Sequence, residues 1–279
     1  LHSTEAHALK LAWRAYLDGF SGRIDLPFAS NRGNQVGLNG HLLRRRLAID
    51  LDRQIASLAE ELELTNFQVL FSVFSILLSR YLAETRFIIG TTVANRSSEA
   101  WESVIGMLVN MVPVTVCLDP CASVLHAMRA TQGSLVTALG LGGLPFIEIV
   151  KASGLSRDGE PFQLVQLHFS AHNALEKLTT LPSLSVDIVE ALPNGTSKFD
   201  LGVVCIPVEY AGTEFLFEYN TDLFDEATIE RMWRHYVRLL EGVVADPQQR
   251  IRELPLLLDE ERQQLLVDWN QTQAPFPES

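Results

Sequence analysis

Thr65-Asn66-Phe67-Gln68-Val69-Leu70-Phe71-Ser72-Val73-Phe74-Ser75-Ile76-Leu77-Leu78-Ser79-Arg80-Tyr81-Leu82 is followed by Arg86-Phe87-Ile88-Ile89-Gly90-Thr91-Thr92-Val93-Ala94-Asn95-Arg96. Ile105-Gly106-Met107-Leu108-Val109-Asn110-Met111-Val112-Pro113-Val114 comes next. These three runs decide the fold. Thr65 and Gln68 have the spacing of a capping box, so a helix is predicted to start there. Val69, Leu70, Val73, Phe74, Leu77, Leu78, Tyr81 and Leu82 recur at three- and four-residue steps, and Phe67, Phe71 and Ile76 add apolar surface on the other flanks. A helix that is apolar nearly all round belongs inside a domain. Ser and Arg interrupt it, and it is too short for a membrane span. Phe87-Ile88-Ile89-Gly90 reads as a buried strand, residues 90–96 as a polar turn leaving it, and residues 110–116 as a second strand. Strands joined by a polar loop over a buried helix are a common rigid support for a site.

The chain has 279 residues, 47% of them apolar and 20% charged, enough for one large or two modest units with a real core. Its net charge of −12 repels polyanions, which argues against a nucleic-acid partner. Arg44-Arg45-Arg46 is read as a solvated strand end rather than a binding patch. Cys117, Cys121 and Cys205 show neither metal spacing nor an even framework, and are expected as buried thiols in a reducing cytoplasm. No run is long enough to cross a membrane and no signal peptide is visible. The chain opens on Leu1 rather than Met, so it is expected to be a piece of something longer.

Outward from the deciding stretch, residues 4–17 predict a helix with Leu9, Trp13, Tyr16 and Leu17 on one face, ended by Gly19 and Gly22. Residues 24–40 read as a surface loop, residues 42–49 as a strand, and Asp50 or Asp52 as the cap of a helix reaching about Leu62. Residues 123–139 predict a helix stopped by Gly140, Gly142 and Gly143. This glycine run lacks the P-loop pattern and follows a helix, so a phosphate site is not expected. Residues 162–173, 184–189, 201–208 and 214–219 read as strands, the last two paired as a hairpin through Tyr210-Ala211-Gly212-Thr213. Asp225 caps an amphipathic helix carrying Ile229, Met232, Trp233, Tyr236, Leu239, Leu240 and Val243. His168 and His172 form H-x-x-x-H, a metal spacing on a helix, but they fall on a strand with no third ligand, so no metal is expected.

In this order the runs resemble the carboxyl-terminal half of a condensation domain from a nonribosomal peptide synthetase. The resemblance rests on Thr65–Tyr81, on Ile89–Arg96, on Ile105–Val116, and on Ser197-Lys198-Phe199-Asp200-Leu201. Tyr219-Asn220-Thr221-Asp222-Leu223-Phe224-Asp225 completes it. It implies an α/β fold, a mixed β-sheet with packed helices in a chloramphenicol acetyltransferase-like lobe. Residues 1–254 would form the lobe. Residues 255–279, with Arg252-Glu253-Leu254-Pro255 and Trp269-Asn270, resemble the linker into an adenylation domain. Two positions depart from the family: Met111 stands where it shows Thr, and Thr115 where it shows Arg.

Joining two thioester-borne residues needs a deprotonated amine, two arms meeting head to head, and a donor for the developing oxyanion. The family is taken to place a His there in an H-H-x-x-x-D-G motif. None of His2, His7, His41, His126, His168, His172 and His235 has Asp four residues later, so no catalytic residue is assigned to this chain. The resemblance implies a partner lobe that supplies the base, peptidyl carrier proteins whose 4'-phosphopantetheine arms bring the substrates, and no directly bound cofactor. Asn110 is the first candidate contact in the groove between lobes, with backbone bonding at a strand end as its alternative. Ser197, Lys198 and Asp200 are candidates on a loop toward the other lobe, with local pairing of Asp200 as the alternative. Tyr219 and Asn220 complete the candidates, with a structural role favoured. A non-catalytic docking lobe is the competing function.

Overall fold

The capping box is present: Gln68 N–H donates to Thr65 Oγ1 (3.2 Å) and Thr65 N–H donates to the Gln68 side chain (2.9 Å). In a computed structural model of the chain, residues 3–24, 26, 37–96, 99–155, 164–172, 192–208 and 211–271 are described. The helix that Thr65 opens is α3 in an order running α1 (Ser3–Tyr16), β1 (Gly40–Arg46), α2 (Ile49–Glu61), α3 (Asn66–Leu82), β2 (Arg86–Val93) and α4 (Glu99–Glu102). Then come β3 (Asn110–Cys117), α5 (Val124–Gly140), α6 (Phe146–Ser153), β4 (Leu167–Ala171), β5 (Leu201–Val208), β6 (Gly212–Asn220), α7 (Glu226–Ala245) and α8 (Asp259–Leu266).

The described strands form one mixed sheet in the order β1-β6-β5-β4-β2-β3. β4 lies parallel to both β5 and β2, and the other neighbours are antiparallel. One face carries the helices. Phe169 from β4 meets Phe67, Phe71 and Phe74 of α3 with ring centroids 6.0, 5.7 and 4.9 Å away. Phe215 from β6 meets Trp233 and Tyr236 of α7 at 5.1 and 5.6 Å, and Tyr236 donates to Leu70 O (2.8 Å). All of α3 from Val69 to Leu78 is buried, as a circumference apolar nearly all round predicts. At the far edge α1 bonds the end of α5 and β3: Trp13 Nε1 donates to Leu141 O (3.0 Å), and Tyr16 Oη donates to Ser134 O (3.0 Å) while accepting Thr115 N–H (3.0 Å).

Several expectations need correction. The polar turn after Gly90 is strand as far as Val93, because Thr91, Thr92 and Val93 pair with Val112, Met111 and Asn110. Neither Asp50 nor Asp52 caps α2. The cap position is Ala48, without a side-chain bond, and Asp52 sits inside the first turn accepting from Thr213 Oγ1 (2.7 Å). The first strand ends at Arg46, short of Ile49, which already opens α2. Its arginines are engaged with acids rather than merely solvated: Arg44 and Arg46 reach Glu214 (3.4 and 3.2 Å), and Arg45 reaches Glu230 (2.5 Å). Ile24 and Leu26, expected on the surface, are buried. Cys205 is buried, but Cys117 and Cys121 are exposed. The strand expected at 184–189, the ends of the one expected at 162–173, Tyr210 of the hairpin turn and the tail 274–279 lie outside the described residues.

No single helix among the described residues is long and apolar enough to cross a membrane. Residues 251–254 stay on the body. Arg80 Nη1 donates to Ile251 O (3.1 Å), Leu254 O (3.3 Å) and Arg252 O (3.5 Å).

Candidate functional site

Asn110 opens β3. Its Nδ2 donates to Gly142 O (2.9 Å) and Leu144 O (2.8 Å), and its Oδ1 accepts Phe146 N–H (3.0 Å). An Asn has two amide hydrogens, and both are used. The glycine turn between α5 and α6 has few side chains to satisfy its own backbone, and Asn110 supplies what it lacks. The strand-end alternative therefore describes these bonds.

The other five candidates gather where β5 begins and β6 ends. Asp200 N–H donates to Gln166 O (3.0 Å), and its buried carboxylate accepts from Gln166 Nε2 (3.0 Å). Asp200 thus bonds Gln166, 34 positions away in sequence. Ser197 is buried, with its N–H on Leu38 O (2.9 Å) and its hydroxyl donating to Phe199 O (2.6 Å). Lys198 is exposed, and its N–H reaches Glu218 Oε1 at 3.4 Å. Tyr219 is buried against the His41 ring, 5.8 Å between centroids, and burial first, then Glu226 and Asp225, push its phenol up. Asn220 donates from Nδ2 to Gly37 O (2.6 Å) and accepts Asp222 N–H (2.8 Å). Asp222 in turn takes Gly37 N–H (3.0 Å) and Asn39 Nδ2 (3.1 Å). The segments cross so closely that a Cβ on Gly40 would sit 2.2 Å from the Thr196 carbonyl carbon.

The six candidates do not converge. Asn110 pairs with Val93 at the finish of β2, whereas Tyr219 pairs with Leu201 at the start of β5. β2 and β5 both run parallel to β4, so these are opposite ends of the sheet. β6 and β3 are also four strand spacings apart, about 19 Å.

One feature escaped the sequence reading. Gln166, a lone amide in the apolar run Leu164-Val165-Gln166-Leu167, bonds Asp200 and both backbone groups of Ile24 (2.5 and 3.3 Å). A polar residue at an expected core position was the signal. On the sheet face away from the helices, His168 stacks on Phe199 (4.8 Å, 6° between planes). Burial, and secondarily His172, push its imidazole down to about 4, so it is neutral at pH 7. Next on that face, the buried Ser170 hydroxyl has no hydrogen-bond partner among the described residues. No cluster of three or more His, Cys, Asp or Glu among the described residues could hold a metal ion.

The loop between α4 and β3 is built differently. Arg96 ties down its root by donating to Val104 O (3.0 Å), Glu102 O (3.3 Å) and Trp101 O. Beyond that root Ile105 and Met107 are 101% and 94% exposed, with Val109 and Trp101 about half exposed. A run of large apolar side chains held in water marks an interaction surface.

A mixed sheet with helices layered on one face is the chloramphenicol acetyltransferase-like class of fold. Solved structures agree. The X-domain from teicoplanin biosynthesis superposes with a TM-score of 0.81 at 24% identity, over 92% of this chain and 58% of that one. A four-domain nonribosomal peptide synthetase, holo-AB3403, gives 0.78 at 22%, over 91% and 20%. The condensation-domain family model matches residues 2–266, and the chain belongs to that family. Among curated relatives, a linear gramicidin synthase of Brevibacillus parabrevis is 31% identical over 95% of this chain and 5% of its own length. Chondramide synthase cmdD of Chondromyces crocatus is 34% identical over 92% and 6%. The chain thus spans a small fraction of these synthetases.

Proposed function

We propose that this chain is the carboxyl-terminal, acceptor-side lobe of a condensation domain that forms amide bonds between carrier-bound aminoacyl or peptidyl thioesters. In this reading residues 1–254 form one wall of the reaction cleft and residues 255–279 lead toward an adenylation domain. The amino-terminal lobe supplies the His motif, and peptidyl carrier proteins deliver both substrates on 4'-phosphopantetheine arms. Ser197, Lys198, Asp200, Tyr219 and Asn220 then shape the wall through their contacts with neighbouring residues rather than touching the reacting atoms. The observation that carries the reading is the apolar loop: a rooted segment holding Ile105 and Met107 in water suits a chain that continues its core into a second lobe.

The test is complementation. The chain is mixed with a separately produced amino-terminal lobe carrying the His motif, and amide formation between two loaded carrier proteins is followed. Product is expected only from the mixture; turnover by this chain alone would remove the shared-cleft reading. A second reading, a non-catalytic carrier-docking lobe, draws on Met111 and Thr115 in place of a hydroxyl and a cation. It predicts carrier binding without product even when the other lobe is present.

A further inference from the structure

α8 has eight residues and none of them is buried. A helix this short does not persist alone in water, so something outside its own hydrogen bonds holds it in place. Arg234 reaches Glu260 at 3.4 Å, but Glu260 is largely exposed, and such pairs contribute little. The remaining polar tether is different in kind. His235 on α7 has a side chain only 5% exposed, and its Nε2 lies 2.6 Å from Glu261 Oε2. Its other nitrogen, Nδ1, lies 2.5 Å from Tyr81 Oη on α3. The same Glu261 oxygen also accepts Leu258 N–H at 3.0 Å, which caps the first turn of α8.

The geometry points to a buried hook, Tyr81–His235–Glu261, in which one carboxylate oxygen both starts helix α8 and fastens it to the body of the lobe. One arrangement satisfies every partner. Tyr81 O–H donates to Nδ1, so Nε2 carries the proton and donates to Glu261. Burial raises the Tyr81 phenol, which keeps its proton for this bond. Burial would also raise the Glu261 carboxyl, but Leu258 N–H, His235 and Arg234 outweigh it and hold it below its ordinary value. The charged groups around the hook are Arg231 and Arg234 on α7 and Glu260 on α8. Cap and fastening share one atom, so α8 forms and docks in a single event. Residues 258–266 are then a fixed bracket, with Leu265 and Leu266 presented outward. This holds whether or not the lobe makes amides.

Hydrogen exchange on the full chain at pH 7 tests it. Glu261→Ala and His235→Phe are each expected to speed exchange of the α8 amides by about ten- to a hundred-fold, the loss of a hydrogen bond to a charged group. Amides of α3 and α7 should stay protected. Nitrogen-15 NMR of His235 should show the Nε2–H tautomer. Unchanged α8 protection in Glu261→Ala, a site about a fifth exposed and not needed for the core, would overturn the hook even if His235→Phe fails to fold. An Nδ1–H tautomer in the unaltered chain would do the same.

Discussion

Asn110 and Ile105 stand five residues apart in one motif and are used in opposite ways. Asn110 spends both amide hydrogens and its carbonyl on the backbone of the α5–α6 turn. Ile105 touches almost nothing. The contrast repeats across the molecule. Asp200, Ser197 and Asn220, polar residues of the kind expected to face a substrate, are bonded inward. The apolar residues 105, 107 and 109, of the kind expected in a core, face outward. In this chain the polar part of the motifs builds the support, and the apolar part of the loop faces water.

Three measurements bear on that contrast. Asn110→Ala should cost about 2–4 kcal/mol, because it strands two carbonyls and one amide in a half-buried turn. Urea denaturation would show it, and a variant as stable as the parent would mean the inward bonds carry nothing. A smaller effect is expected at His168, whose pKa is depressed on folding. Such a group supports the fold fully above its ordinary value near 6.5 and loses that support as pH falls toward about 4. The denaturation midpoint should therefore drop between pH 7 and about pH 4.5, and His168→Phe should flatten that part of the profile. The smallest change in stability belongs to the outward side. Ile105→Ser with Met107→Ser should leave the isolated chain within about 0.5 kcal/mol of its parent. The same pair should abolish co-purification with an added amino-terminal lobe, which sharpens the contrast from the other direction.

Local rules carried much of this fold. The Thr65–Gln68 box, the Asp225 cap on Thr228 N–H and the three-four periodicity of α3 and α7 are short-range signals, and they appear where the sequence places them. Short-range reading failed where two local signals compete. Thr91-Thr92 looks polar enough for a turn, yet β-branched residues suit a strand once β3 lies alongside. It was silent where the partner is remote. Arg80 grips carbonyls more than 170 residues away, and Gln166 binds Ile24 across 142 positions. The same distance problem limited the candidate site. Each residue could be picked from its motif, but that Asn110 sits at the opposite corner of the sheet from Tyr219 depends on β4 inserting between β2 and β5. No spacing along the chain encodes that insertion.

At the border of the sheet, Tyr16 does with one hydroxyl what a seventh strand would do with its backbone, occupying Thr115 N–H from outside. The first helix is thereby a guard against self-association as well as a packing element. If it were trimmed away, the rim of β3 would be offered to any neighbouring chain with a free strand. The first symptom would be cross-strand aggregates growing from molecules that are otherwise still folded.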